Sequence, residues 1–161
     1  MACRPESLVA RSAAGFTLLE LVMVIILLGI LSAVAIPRIT DTSAFSQMAF
    51  HDGLVATLRH AQKTAVSHRR LVCVTLGGRG ASARIAPART QGCTVALPGP
   101  DGKPEIVASD TGVSVSPTGT LYFQPNGDIT TDAGGKTHWN TPLQATGMPP
   151  IEIVGATGYV W

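Results

Sequence analysis

The stretch Gly15-Phe16-Thr17-Leu18-Leu19-Glu20-Leu21-Val22-Met23-Val24-Ile25-Ile26-Leu27-Leu28-Gly29-Ile30-Leu31-Ser32-Ala33-Val34-Ala35-Ile36 decides how this chain is built. Glu20 is its only charge. As a helix at about 1.5 Å per residue, Phe16–Ile36 would be about 31 Å long, the thickness of a bilayer core. A carboxylate in such a setting costs on the order of a few kcal/mol, so it needs a partner or a task. Upstream lies a short segment, Met1–Gly15, that carries Arg4 and Arg11. A basic leader, a glycine, a phenylalanine and then an acid four residues on is an unusual order of residues.

The hexapeptide Gly15-Phe16-Thr17-Leu18-Leu19-Glu20 resembles the class III signal of type IV pilins and of type II secretion pseudopilins. Pro37 falls where those proteins often carry a proline. The resemblance implies cleavage between Gly15 and Phe16 by a prepilin peptidase and methylation of the new Phe16 amine. It also implies an anchor in the bacterial inner membrane with the head in the periplasm, followed by assembly with other pilins or pseudopilins into a filament. Glu20 and Pro37 are then the expected assembly residues. The freed amine of one subunit would meet Glu20 of its neighbour. Such a pair acts as a register device, because a misplaced subunit leaves a charge unpaired.

Two other readings compete. One is a conventional signal anchor with an incidental Glu20 near the interface. The other is ordinary secretion, since Ala33-Val34-Ala35 has the form of a signal-peptidase site. Against secretion, the apolar run is longer than a usual signal core and has an acid near its start. Its small residues also suit close helix packing.

Composition fits a small exported protein with one apolar end. Of 161 residues, 45% are hydrophobic and 14% charged, which allows one domain plus an anchor. Losing Arg4, Arg11 and Glu6 with the leader takes the formal net charge from +2 to +1, too little for general attraction to nucleic acid. Cys3 would leave with the leader, and Cys73 and Cys93 remain. An even pair in an oxidising compartment points to a disulfide worth about 3 kcal/mol, the alternative being two free thiols. No metal is expected at these thiols, since no Cys or His stands at ligand spacing; the nearest, His68, is five residues from Cys73.

The predicted class is α+β: a long N-terminal helix packed on an antiparallel, sandwich-like head. Four segments follow: leader 1–15, membrane or filament-core helix 16–36, amphipathic continuation 37–69, and β-rich head 70–161. One helix is expected from Phe16 to about His68, kinked near Pro37. Past Pro37, Phe45, Met48, Leu54, Val55, Leu58, Ala61 and Ala65 recur at helical spacing, with Arg59, His60 and Lys63 opposite. His51, His60 and His68 are expected on a solvated or interface face. Strands are expected at Leu71–Leu76, Ala81–Ala86, Thr94–Leu97, Ile106–Ala108, Val113–Val115, Leu121–Gln124, Asp128–Thr131, Ile151–Val154 and Tyr159–Trp161. Between Leu121–Gln124 and Asp128–Thr131, Asn126-Gly127 is a hairpin signal because this pair tolerates positive φ.

The head resembles the GspH/FimT group of minor pilins and pseudopilins. The likeness rests on Leu58-Arg59-His60-Ala61-Gln62-Lys63-Thr64-Ala65, on Arg70, Val72 and Val74, on Pro125-Asn126-Gly127, and on Ile151, Ile153 and Thr157-Gly158-Tyr159-Val160. The Leu-Arg-x-Ala-Gln run is also similar to minor pilins of the mannose-sensitive haemagglutinin type. This implies a minor component, at a tip or in initiation, of a pilus or a type II secretion pseudopilus. Some members bind DNA through a basic C-terminal segment. Here Gly158–Trp161 holds no Arg or Lys, which removes that basis for a nucleic-acid partner. Arg79, Arg84 and Arg89 remain as a candidate ligand surface for DNA uptake or adhesion, against the plainer reading of a charged edge strand.

No enzyme, cofactor or metal site is expected. The chain has no G-x-S-x-G, no Walker loop and no H-E-x-x-H. Asp101, Glu105 and Asp110, or Asp128 and Asp132, suggest calcium, but their spacing is not that of an EF-hand, and turn formation explains aspartates there.

Overall fold

A computed structural model describes residues 16–39, 42–109 and 111–161, with side chains described except at 34–39 and 42. The chain divides into two compact units, residues 1–41 and 42–161. Among the described residues the first holds helix α1, Leu18–Ile39. The second holds helix α2, Thr42–His68, and ten strands. Helix therefore occupies Leu18–Ile39 and Thr42–His68 of the span from Phe16 to His68 expected to be helical. Thr40 and Asp41, where the course of the chain past Pro37 would show, lie outside the described residues. Pro37 itself is a residue of α1.

Helix α1 starts where it does because of Thr17. The Glu20 N–H donates to Thr17 Oγ1 at 3.2 Å, and the Leu21 N–H donates to the Thr17 carbonyl at 3.2 Å. Thr17 is therefore the N-cap, and Thr17-Leu18-Leu19-Glu20 has the T-x-x-E form of a capping box. From Leu18 to Ala33 every side chain is exposed within its unit.

Helix α2 buries one stripe, Phe50, Leu54, Leu58, Ala61 and Ala65, at spacings of three and four residues. The stripe packs on the strands that follow. These are β1 (Val72–Gly77), β2 (Gly80–Ile85), β3 (Val95–Ala96), β4 (Glu105–Val107), β5 (Val115–Ser116), β6 (Gly119–Phe123), β7 (Ile129–Thr130), β8 (Gln144–Ala145), β9 (Ile153–Val154) and β10 (Tyr159–Val160). The main sheet runs β3-β2-β1-β6-β7, with β4 also on β2, and every pairing is antiparallel. In β1 the alternate residues Val72, Val74 and Leu76 are buried, which is the period-two signature of a sheet with one face on the core. Val74 lies between Ala83 of β2 and Leu121 of β6.

All nine expected strands coincide with or overlap observed ones. The unforeseen strand is β8, which pairs with β5. The β6–β7 connection is a hairpin through Pro125-Asn126-Gly127, as expected. The Gly127 N–H donates to the Gln124 carbonyl at 3.0 Å and the Gln124 N–H to the Asp128 carbonyl at 2.8 Å. Only Gly127 has positive φ, at 103°. Pro125 holds the second turn position near φ −65°, so the turn is of type I with a glycine bulge.

The end of α2 has an unusual residue in a familiar geometry. The Arg70 N–H donates to the Ala65 carbonyl at 3.1 Å and the Arg69 N–H to the Val66 carbonyl at 3.3 Å. That is a Schellman pair, which places Arg69 at the left-handed position where glycine is the usual residue. Arg69 has φ 51°, the sole positive φ outside glycine among the described residues.

The β9–β10 hairpin closes the chain and is tied back to α2. Arg59 Nε donates to the Val160 carbonyl at 3.0 Å, and Gln62 Nε2 to the Thr157 carbonyl at 3.4 Å. Between Asp132 and Thr137 the chain turns around one carboxylate, which accepts the N–H groups of Lys136 and Thr137 at 2.9–3.2 Å. Those bonds, Thr137 first, hold the Asp132 pKa below its ordinary value. A lowered folded-state pKa gives stability that is present above the ordinary aspartate range and lost as pH falls through the lowered value. The Asp132 carboxyl signal in an NMR titration should therefore have its midpoint below that of a free aspartate. A midpoint at or above that value would mean the turn is not held by these bonds.

Candidate assembly segment and head surface

The expected sites separate into an N-terminal segment and a head surface. Gly15, the expected cleavage residue, lies outside the described residues. Phe16 precedes the capped helix and is 86% exposed. With Thr17 as N-cap, Phe16 stands one residue outside the helix, so its backbone amine is not part of the helical ladder. Glu20 occupies the first turn of α1, where a carboxylate suits the positive end of the helix dipole. Among the described residues its carboxylate has no hydrogen bond or ion pair. The same segment exposes Leu18, Leu19, Leu21, Met23, Ile25 and Ile26, apolar surface of a kind that water does not leave uncovered in a folded assembly.

In the head, Cys73 and Cys93 form a disulfide with a Cα–Cα separation of 6.0 Å. It joins β1 to the segment that leads into β3 and encloses the β1–β2 hairpin. The segment between Ile85 and Val95 is pinned at both ends. The Ala86 N–H donates to the Leu71 carbonyl at 2.9 Å, and Cys93 is bonded to Cys73. Replacing both cysteines with serine should cost about 3 kcal/mol, because the open chain regains the entropy of a 20-residue loop. Denaturant melts of the oxidised and double-serine proteins would measure it, and equal stabilities would show that the bridge constrains nothing.

The three arginines expected as one surface are not brought together. Arg79 sits at the β1–β2 turn and donates from Nη2 to the Ala108 carbonyl at 3.3 Å. Arg84 lies on the exposed face of β2 and donates to the Thr94 carbonyl at 3.2 Å. Arg89 lies beyond the other end of β2, so the length of that strand, about 17 Å at 3.3 Å per residue, separates it from Arg79. Arg89 instead lines a hollow of about 310 Å³ with Arg69, Pro125 and Asn126. Arg69 was not among the sequence candidates. Its signal was available as a basic residue just past a helix end, but its partner in space is 20 residues away and joined through the fold.

The acidic candidates serve turns. Asp101 Oδ1 accepts the Lys103 N–H at 3.1 Å. Asp128 Oδ2 accepts from Asn126 Nδ2 at 2.8 Å and lies 3.4 Å from His138 Nε2. Asp110 falls outside the described residues. Among the described residues no group of three or more His, Cys, Asp or Glu is placed to hold a metal. His60 is half-buried and His68 exposed, but His51 is more enclosed than expected. Its Nδ1 lies 3.5 Å from Asp52 Oδ1, and its buried Nε2 has no partner among the described residues.

Comparison with known proteins bears on the N-terminal segment. Residues 10–36 match the prokaryotic N-terminal methylation motif. The N-terminal segment is therefore type IV pilin-like. Over 53 residues, a third of its length, the chain is 43% identical to the type IV narrow pilus major component PilA5 of Thermus thermophilus. The match spans 46% of that protein, less than half of its length. No solved structure matches the chain. Among the described residues, no helix is long and apolar enough to cross a membrane. The side chains of α1 are described only as far as Ala33, and in the sequence the apolar run continues to Ile36.

Proposed function

We propose that this chain is a minor type IV pilin or pseudopilin. Prepilin peptidase would cut it between Gly15 and Phe16 and methylate the new amine. Phe16–Ile36 would anchor it in the bacterial inner membrane with its head in the periplasm, before it joins other pilins in a pilus or a type II secretion pseudopilus. Its work is assembly or priming, without catalysis and without a cofactor. The observation that carries this reading is the methylation-type signal at the start of a capped helix whose described side chains are all exposed and nearly all apolar. Such a helix needs a cover, and lipid followed by neighbouring helices supplies one. Support for a minor role comes from the head, where the Leu58–Ala65 face and the Val72-x-Val74 strand share one core and Gln62 of that face holds the Thr157 carbonyl.

Mass spectrometry of chain extracted from membranes tests the reading. It should begin at Phe16 and carry one extra methyl group. An intact leader, or a first residue at Ile36 after ordinary secretion, overturns it. Sheared filaments should contain the chain at far lower copy number than a shaft subunit; equal abundance would make it a major pilin. Neighbouring genes for a pilus motor or for a secretion system would decide between the two machines.

A further inference from the structure

We propose that Arg69 and Arg89 form a binding site for a terminal phosphate group on the head. Both line one hollow of about 310 Å³, together with Pro125 and Asn126. A second hollow of about 320 Å³ adjoins it, sharing Arg89 and Pro125 and adding Thr90, Gln91 and Gln124 to its wall. No Asp or Glu lines either hollow. The acid next along the turn, Asp128, is turned to Asn126 and His138.

Three features point to a ligand. First, neither guanidinium has a hydrogen-bond or ionic partner among the described residues, whereas Arg59, Arg79 and Arg84 each hold a backbone carbonyl. Second, Arg69 keeps a left-handed backbone at the one helix-end position where glycine would be free of strain. A residue kept in a strained conformation at a cleft is a mark of function. Third, the segment carrying Arg89 is held to the sheet by the Cys73–Cys93 bridge, so Arg89 sits on a fixed support.

The chemistry selects the ligand class. Two guanidinium forks from separate segments offer more donors than the two oxygens of a planar carboxylate use. A tetrahedral phosphate presents oxygens in more than one direction. A terminal phosphate carries a charge of about −1.5 to −2 at neutral pH, which matches two arginines. Nucleic acid carries its charge along a backbone and needs a row of cations, and here the remaining arginines lie elsewhere.

Full-length chain in detergent micelles, titrated with inorganic phosphate and followed by the arginine Nε–H signals, tests the site. Saturable shifts are expected at Arg69 and Arg89 and not at Arg84. R89Q and R69G should each weaken phosphate binding at least tenfold, and R84Q should leave it unchanged. R69G should also raise the melting temperature, because it relieves the backbone while removing the side chain. That combination separates loss of a site from loss of fold. Reduction of the disulfide should weaken binding with the spectrum of the sheet retained. Non-saturable shifts, or an equal loss in R84Q, would overturn the proposal. So would tighter binding of an unphosphorylated single-stranded oligonucleotide that depends equally on Arg79 and Arg84.

Discussion

Gly158→Ala should lower the stability of the head by about 3 kcal/mol, the sum of a left-handed backbone penalty and an unrelieved overlap. Gly158 has φ 68°, where an L-residue pays for its Cβ. A Cβ at this position would overlap the Gly127 carbonyl oxygen and the Gln62 amide. The first is backbone of the β6–β7 turn and cannot rotate away. The second is part of the link from α2 to the Thr157 carbonyl. The substitution therefore strains one turn, pushes on another and loosens the C-terminal hairpin from the helix. Gly78, at the β1–β2 turn, has open space around it, so Gly78→Ala should change stability by less than about 0.5 kcal/mol. Thermal melts of the two variants should differ by about 10 °C. Similar midpoints would mean that the close approach of the two turns does not exist in solution.

Glu20→Ala should leave cleavage after Gly15 intact and reduce incorporation into filaments at least tenfold. The carboxylate has no partner within its own chain among the described residues, and it sits in the first turn of a helix surrounded by exposed apolar side chains. Once packed among neighbours, that turn is desolvated. A freed Phe16 amine of an adjoining subunit then needs a counter-charge, and removing one member of such a pair costs about 3–5 kcal/mol. The N-cap bond uses the Glu20 backbone N–H and Thr17 Oγ1, so the alanine variant retains the helix start. Glu20→Gln separates charge from shape: it should fail much as alanine does. Incorporation of either variant at the unsubstituted level would remove the pairing argument while leaving the processing test of the mature N-terminus untouched.

The N-terminal likeness was legible because it is local. Signal, apolar run and acid are contiguous, and their meaning needs no distant residue. The strands were legible for a related reason. Val72, Val74 and Leu76 alternate with less buried residues, and turn-forming Gly77-Gly78, Pro125-Asn126 and Gly155–Gly158 separate the runs. Strand β8 escaped because Gln144-Ala145 carries no strand pattern; it exists through its pairing with β5. The arginines show the opposite failure. Arg79, Arg84 and Arg89 are close in sequence, but an extended strand spreads them, and the fold brings Arg89 beside Arg69 instead.

Short-range patterns thus determined the pilin-like start, the helix stripe from Phe50 to Ala65 and most strand positions, since dihedral preference and apolar periodicity act within a few residues. Only the folded head decided that Cys73 reaches Cys93, that Gly158 must lack a side chain, and that Arg69 faces the same hollow as Arg89. Those three facts depend on segments brought together by burying a shared core, and the free energy that does this is not directional along the chain.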